Sequence, residues 1–239
     1  QSSEMKVLLE CILPIAVDWL AWEYQDETLA PPSEWNSLSQ SLLPLDFIYV
    51  PAGVVIEEAF GGQHCGGYDS STALHYCPQD GNIYFGEELL WFTYTNYGDA
   101  DLWGSISHEM GHRVQHVAGA DRSNPDVPNE QIPAENQADC FSGAFLDFAA
   151  RNHYIDVTVT GDDLVDLFDG LFNIGEPAFE GRSHGTIDQR IRAFFVGYNS
   201  ADDWGVFECD RFITDVTIVP ALYLADPPVQ TPTTTTTAP

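Results

Sequence analysis

The chain has 239 residues, and 44% of them are hydrophobic and 13% aromatic, which is enough apolar material to fill a sizeable core. It carries 37 acidic residues against 8 basic ones, and the net charge of −29 excludes nucleic acid and anionic membrane surfaces as expected partners, because both repel an acidic protein. We therefore expect a folded globular protein whose acidic surface suits a salty or extracellular setting.

The first predicted element is a helix over the apolar run VLLECILPIAVDWLAW. Glu10, Pro14 and Asp18 interrupt the run, so it is too short and too charged to span a bilayer or to form the apolar region of an export signal. It is typical of an amphipathic core helix. Because the chain starts at Gln1 and has an internal Met5, we expect a processed product.

Two short runs bounded by turn residues predict β-strands: LDFIYVPAG, from Leu45, and NIYFG, from Asn82. Helices follow them. Asp99 or Asp101 can cap a helix that runs to about Val117. Another helix begins near a proline in PAENQADCFSGAF, where a first turn tolerates it, and two more are predicted at GDDLVDLFDGLF and TIDQRIRAFFVGY.

This order of elements predicts the domain organisation. Strands followed by helices indicate an α+β domain with a small β-sheet, which we assign to residues 1–225. The remaining segment, 226–239, reads DPPVQTPTTTTTAP and is too poor in apolar residues to order itself. It predicts a disordered tail or linker, or a stalk of the kind that is commoner on exported proteins.

Five cysteines are present without a Cys-x-x-Cys pair, which excludes a zinc ribbon and a thioredoxin-like motif. In an oxidising compartment four of them could pair and one would remain single. Cys65 and Cys77 are the favoured bridge, because the segment between them is short and rich in turn residues. The alternative is a cytosolic protein with five buried, reduced thiols.

The stretch SISHEMGHRVQH, from Ser105 to His116, contains the spacing of a metal site. Residues four apart are neighbours on a helix, so His108 and His112 can both reach one zinc ion at about 2.0–2.1 Å. Glu109 flanks the same face, where it can accept a proton from the attacking water. An apolar stripe lies on nearly the opposite side of the helix and is formed by Trp103, Ile106, Met110, Val114 and Val117.

The third ligand has to come from elsewhere. His116 lies eight residues from His108, or about 12 Å of helix rise, and the two cannot converge on one tetrahedral ion together with His112. We expect His116 to be exposed or to lie behind the ligands. The longer motif with a third histidine is absent, because Gln115 and Ala118 stand where it requires Gly and His.

The segment PAENQADCFSGAF offers the missing ligand. Glu135, 23 residues after His112, lies on a predicted helix that can pack across the first one. Asp139 follows one turn later and can hold the second ring N–H of a ligating histidine. The alternative for Glu135 is an ordinary first-turn carboxylate, favoured by the helix dipole.

Four motifs together make the chain resemble the neutral zinc metallopeptidase family of bacteria, among the gluzincin-like zincins. They are HCGGYDSSTALHYCPQDGNIYF, SHEMGHRVQHVAG, ENQADCFSGAF and SHGTIDQRIRAFFVGY, and the resemblance extends from about Leu45 to about Phe212. It implies a zincin-like fold and a Zn²⁺ cofactor. It also implies site residues: His108, His112 and Glu135 as ligands, Glu109 as catalytic base and Asp139 behind the ligands.

The resemblance also bears on the cysteines. It supports the Cys65–Cys77 bridge and implies a Cys140–Cys209 bridge, which leaves Cys11 single. The chain departs from the family at Asn136, where Leu is usual, and in a longer acidic loop. That loop, 121–130, holds oxygen donors of the kind that Ca²⁺ prefers, but their spacing fits no EF-hand, and we favour a solvated loop.

These residues predict a zinc metalloendopeptidase that hydrolyses peptide or protein substrates, acts as a monomer outside the cell and has no membrane span. The strand near Asn82–Phe85 is the candidate edge on which an extended peptide could pair. His184, next to Gly185 in RSHGTIDQR, is predicted to stabilise the oxyanion, with Tyr76 and Arg190 in reserve. The alternative for His184 is a residue that only hydrogen-bonds its turn.

Two other classes of function stay open. The chain could be an inactive zincin that serves as a binding or adhesion module on a Thr-rich stalk, although the intact Glu109 argues against this. It could also be a zinc-free acidic interaction domain. The combination of Glu135 and Asp139 with the histidine pair argues against that interpretation.

Overall fold

The structure is a computed structural model that describes residues 2–24, 45–54, 71–117, 131–154, 187–200, 205–210 and 212. Five α-helices and a three-stranded sheet lie within these ranges, which confirms the α+β class. In chain order the elements are α1 (Ser2–Glu23), β1 (Phe47–Val50), β2 (Leu74–Tyr76), β3 (Ile83–Gly86), α2 (Glu87–Tyr97), α3 (Asp99–Val117), α4 (Gln131–Arg151), α5 (Ile187–Ser200) and a 3₁₀ helix (Gly205–Asp210).

The sheet has the strand order β1-β3-β2, with β3 parallel to β1 and antiparallel to β2. The expectation that the strand near Asn82–Phe85 forms an edge is therefore wrong. Both sides of β3 are occupied by neighbouring strands, and all four of its residues are buried. Within the described part of the chain, β2 is the strand that offers an open edge beside α3.

Helix α1 covers the core as the sequence predicts. Its buried side chains recur every three or four residues: Met5, Leu9, Ile12, Ala16 and Trp19. The Trp19 ring packs 4.9 Å from the ring of Phe145 on α4, which fixes α1 against the helical layer. No helix in the described ranges combines the length and hydropathy that crossing a bilayer requires.

Helices α3 and α4 pack antiparallel along the centre of the molecule. Trp103, early in α3, stacks 5.5 Å from Phe145, whereas Gln115, late in α3, donates to the carbonyl of Ala134 at 2.6 Å. At Gly111 an added Cβ would meet the Ala138 Cα at 3.0 Å, so the lack of a side chain permits this close approach. The polar side of α3 is buried as a result, and His108 and His112 lie in the interior.

Helices α4 and α5 approach even more closely. A Cβ at Gly143 would lie 2.0 Å from the Phe194 carbonyl oxygen, and one at Gly197 would lie 1.9 Å from that of Cys140. Glycine is required at both positions, because backbone occupies the space of a side chain. The contact places α5 behind α4, on the side from which Arg190 reaches the site.

The cysteines agree with an oxidised protein. Cys140 on α4 is bonded to Cys209 in the 3₁₀ helix, which confirms the bridge implied by the resemblance. Cys11 is free and exposed, as expected for the single cysteine. Cys77 is also disulfide-bonded, whereas Cys65, its predicted partner, lies outside the described residues.

Candidate metal centre

His108 and His112 on α3 meet Glu135 on α4 at a single point. The Nε2 atoms of the two histidines lie 3.2 Å apart. The Glu135 Oε2 atom lies 3.2 Å from Nε2 of His108 and 3.4 Å from Nε2 of His112. All three side chains are largely buried, so the cluster is shielded from bulk water.

The size of this triangle suits zinc. Zinc with nitrogen and oxygen ligands at about 2.0–2.2 Å has ligand atoms about 3.3 Å apart along each edge of the tetrahedron. The three measured edges, 3.2, 3.2 and 3.4 Å, match one face of such a tetrahedron. Three protein ligands leave the fourth corner available for water or substrate, which is the pattern of a catalytic zinc site.

Hydrogen bonds at the other ring nitrogens orient both histidines. The Nδ1 atom of His108 lies 3.0 Å from the Oδ1 atom of Asp139, and that of His112 lies 2.9 Å from the Oε1 atom of Gln115. Because these oxygens are acceptors, each Nδ1 carries a proton, and in the neutral form of each ring Nε2 presents a lone pair to the centre. The Gln115 amide is fixed in turn by its bond to the Ala134 carbonyl.

Arg190 on α5 holds the carboxylate behind His108. Its Nε donates to Asp139 Oδ2 at 2.7 Å, and its Nη2 donates to Asp139 Oδ1 at 2.6 Å. Both side chains are buried, with residue exposures of 1% for Asp139 and 6% for Arg190. Burial by itself would raise the pKa of Asp139, but the guanidinium outweighs it and lowers that pKa, so the group is an anion.

In the absence of a metal, a proton can take the place of the cation. Burial alone would lower the pKa of His108, but hydrogen bonds to Asp139 and Glu135 raise it to about 10. Burial likewise opposes ionisation of Glu135, but the charge of His112 and bonds from both histidines hold its pKa well below the usual range. The site is therefore built to hold positive charge.

Glu109 faces the sheet beside the histidine cluster. Its Oε2 atom accepts the backbone N–H of Tyr76, the last residue of β2, at 2.6 Å. Farther along α3, Nη1 of Arg113 donates to the Tyr76 phenol oxygen at 3.2 Å, and Nδ1 of His116 contacts the same oxygen. His116 is exposed, which agrees with its exclusion from the ligand set.

The structure thus brings together five residues that the sequence singles out: His108, Glu109, His112, Glu135 and Asp139. His184, the predicted oxyanion donor, lies outside the described residues, as do the acidic loop 121–130 and the predicted tail 226–239. Of the reserve donors, Tyr76 contacts α3 and Arg190 binds Asp139. Their role towards an oxyanion stays a prediction.

Sequence reasoning missed two contributions to the site. The longer histidine motif marks Gln115 only as a departure, yet its position one turn after His112 is the signal for a helix neighbour. The sequence predicts Arg190 as a reserve oxyanion donor, whereas the structure shows it as the partner of Asp139. Its separation of 51 residues from Asp139 leaves no local pattern that could reveal the pair.

Comparison with known proteins gives a consistent family assignment. The family model described as "Putative neutral zinc metallopeptidase" matches residues 33–212. An uncharacterized protein of Mycobacterium tuberculosis is 26% identical over 165 residues, covering 59% of this chain and 56% of that protein. The uncharacterized protein YpfJ of Escherichia coli is 28% identical over 170 residues, covering 62% and 57%. The chain thus spans little more than half the length of these relatives, and no solved structure matches it.

Proposed function

The chain belongs to the neutral zinc metallopeptidase family, and from this premise we propose that it is a zinc-dependent endopeptidase that hydrolyses peptide bonds with Glu109 as general base. The observation that carries the proposal is the triangle of His108, His112 and Glu135 donor atoms, whose edges suit tetrahedral zinc. Both histidines direct a lone pair to its centre, so a cation there relieves the repulsion among three acceptors.

His108, His112 and Glu135 would hold the ion, and Asp139 and Gln115 would keep the two rings in the ligating tautomer. When bound, zinc supplies Lewis acidity towards the scissile carbonyl and the attacking water. Arg190 contributes indirectly, because its two bonds keep Asp139 charged and correctly oriented.

Glu109 performs the proton transfers. Its Oε2 atom accepts the Tyr76 N–H, so we assign the reacting proton to Oε1. That oxygen takes a proton from the attacking water and then delivers it to the amine of the leaving group. Placement of the carboxylate beside the ligands on the same helix lets one group serve both steps.

Substrate binding is assigned to the open edge of β2. Two backbone hydrogen bonds flank β2: the Cys77 N–H donates to the Asn82 carbonyl, and the Ala73 carbonyl accepts the Gly86 N–H. The backbone groups of residues 73 and 77 therefore turn towards β3. Because antiparallel strands alternate, Leu74 and Tyr76 turn their backbone groups towards the open edge. An extended peptide can add to this edge as a further strand through the backbone groups of Leu74 and the carbonyl of Tyr76, because Glu109 already accepts the Tyr76 N–H.

The proposal has three further parts: an oxyanion donor, a location and an oligomeric state. His184 is retained as the donor that stabilises the oxyanion, a role worth about 10²–10³ in rate. An extracellular location is proposed from the acidic composition and agrees with the Cys140–Cys209 bridge, because disulfides persist in oxidising compartments. We also propose that the protein acts as a monomer.

A binding or adhesion module that keeps the zinc site is the second candidate. It needs only the three donor atoms of His108, His112 and Glu135 and the hydrogen bonds that orient the two rings, all of which are in place. The intact Glu109 opposes it, because a module without catalysis has no use for a carboxylate at this position beside the two histidines. The two candidates differ in one observable, namely cleavage of a peptide.

The test combines zinc content with digestion of an unbiased peptide library. We expect one zinc per chain and cleavage by the wild type, no zinc in His112→Ala, and full zinc without cleavage in Glu109→Gln, since an amide cannot accept the proton. Zinc without cleavage by the wild type would favour the binding module. Absence of stoichiometric zinc from the wild type would refute both candidates.

A further inference from the structure

Tyr76, the last residue of β2, joins this strand to one side of α3 through both its backbone N–H and its phenol. Glu109, Arg113 and His116 lie three or four residues apart and therefore share one side of the helix. All three contact Tyr76: Glu109 through the backbone N–H, and the other two through the phenol oxygen. The histidine ligands lie on the neighbouring side of the same helix.

We call the contacts of Tyr76 with Glu109, Arg113 and His116 the Tyr76 clasp. The hydrogen-bonding roles within it are mutually consistent. A phenol has one proton to donate and can accept others. The Arg113 guanidinium has only donors, so it donates to the Tyr76 oxygen, and the phenol can donate its own proton to Nδ1 of His116. At Gly81, in the turn after β2, a Cβ would meet Nη1 of Arg113 at 2.8 Å. The absence of a side chain at Gly81 leaves the space in which the guanidinium lies.

We propose that Tyr76 is a positioning residue for hydrolysis: its phenol, held by Arg113 and His116, fixes the end of the β2 edge so that its backbone N–H holds Glu109 beside the histidine cluster. This rests on the proposed function of Glu109. Tyr76 is not one of the three residues of the metal cluster, and it acts on the site through its hydrogen bond to Glu109. The clasp thereby links the strand that takes the peptide to the group that moves the proton.

The chain offers a matched control in Tyr84, on the adjacent strand. Tyr84 is also buried and also donates its phenol proton to a side chain, that of Asp80. It pairs with His75 rather than with Tyr76, and it packs with Val50 and Cys77 on the other face of the sheet. Tyr84→Phe therefore removes a phenol hydrogen bond that goes to Asp80 rather than to a residue of α3.

The first measurement is hydrogen exchange at the backbone amide of residue 76, which needs neither zinc nor activity. Since this amide faces the open edge, its protection depends on Glu109. We expect exchange to accelerate about tenfold in Glu109→Ala and in Tyr76→Phe, the effect of losing one hydrogen bond, and to stay unchanged in Tyr84→Phe. Equal rates in the wild type and Glu109→Ala would overturn the clasp.

The second measurement is kinetic. Tyr76→Phe should lower kcat by about 10- to 100-fold through misplacement of Glu109, with KM and zinc content nearly unchanged. His116→Ala, at an exposed position that folding tolerates, should act in the same direction, and His116→Asn should restore part of the rate because it returns an acceptor. A loss in Tyr76→Phe no larger than in Tyr84→Phe would refute positioning. A wild type that cuts no peptide refutes the proposed function instead, and the exchange rates still decide whether Tyr76 holds Glu109.

Discussion

Replacement of Asp139 by Asn separates the charge of this residue from its shape. Asp139 accepts three bonds, from Nδ1 of His108 at 3.0 Å and from two nitrogens of Arg190 at 2.6 and 2.7 Å. An asparagine has one acceptor and one donor group in the same space. Whichever way the amide turns, its NH₂ group meets a donor, either Arg190 Nε or the Arg190 Nη2 and His108 Nδ1 pair.

Two magnitudes follow for Asp139→Asn. Loss of the partner behind a ligating histidine lowers metal affinity about 10- to 100-fold, which is about 1.4–2.7 kcal/mol. Arg190 is only 6% exposed and would keep its charge without an anion, so we expect the metal-free protein to lose about 3–5 kcal/mol of unfolding free energy. Competition with a chromophoric chelator measures the zinc affinity, and urea unfolding measures the stability.

Asp147 provides the matched control on the same helix. It pairs with Arg151 at 2.7 Å, and the Arg151 side chain is 49% exposed. Asp147→Asn should therefore cost about 1 kcal/mol or less and leave zinc binding unchanged. If Asp139→Asn bound zinc as tightly as Asp147→Asn, the assignment of Asp139 as the partner that orients His108 would be wrong.

Three further outcomes are expected. In the folded, metal-free protein the pKa of His108 is about 10, above the unfolded value of about 6.5, so its protonated ring stabilises the fold fully below pH ~6.5 and this stabilisation is lost as pH rises towards 10. Urea unfolding at several pH values measures this pH dependence. Zinc should abolish the pH dependence, because a histidine that binds the metal stays unprotonated. Gly143→Ala should lower the unfolding free energy by about 1–3 kcal/mol or more, because its Cβ would meet the Phe194 carbonyl; a Tm equal to that of the wild type would contradict the close helix contact. Replacement of Cys140 and Cys209 together by Ser should lower the unfolding free energy by about 4 kcal/mol, because the bridge closes a loop of 69 residues. Urea unfolding of the variant and the wild type measures this loss.

The grouping of His108, His112 and Glu135 could be predicted because it follows largely from helix periodicity. His108 and His112 are four residues apart, as are Glu135 and Asp139, so each pair shares one side of its helix wherever that helix lies. The prediction then needed only that the two helices pack against each other. The antiparallel packing of α3 and α4 supplies that condition, helped by Gly111.

The surroundings of the site could not be predicted, because they depend on tertiary contacts. The sequence of α3 indicates a helix with one apolar side. In the structure, packing against α4 buries the polar side of α3 as well. The edge strand β2 has only three residues, LHY, too few for a periodic signal, and so the longer β3 was mistaken for the edge. Arg190 and Asp139 meet only because two glycines let α4 and α5 approach closely.

Helix α3 carries both the two histidines and the proposed base, and this arrangement determines how the site could respond to motion. His108, Glu109 and His112 lie within two turns of one helix, so any tilt or rotation of α3 moves them as one rigid body and preserves their mutual distances. Their partners lie on separate elements, with Glu135 and Asp139 on α4 and Tyr76 on β2. Displacement of α4 would thus alter metal affinity, whereas displacement of β2 would alter proton transfer. Two properties of one centre can therefore vary independently of each other.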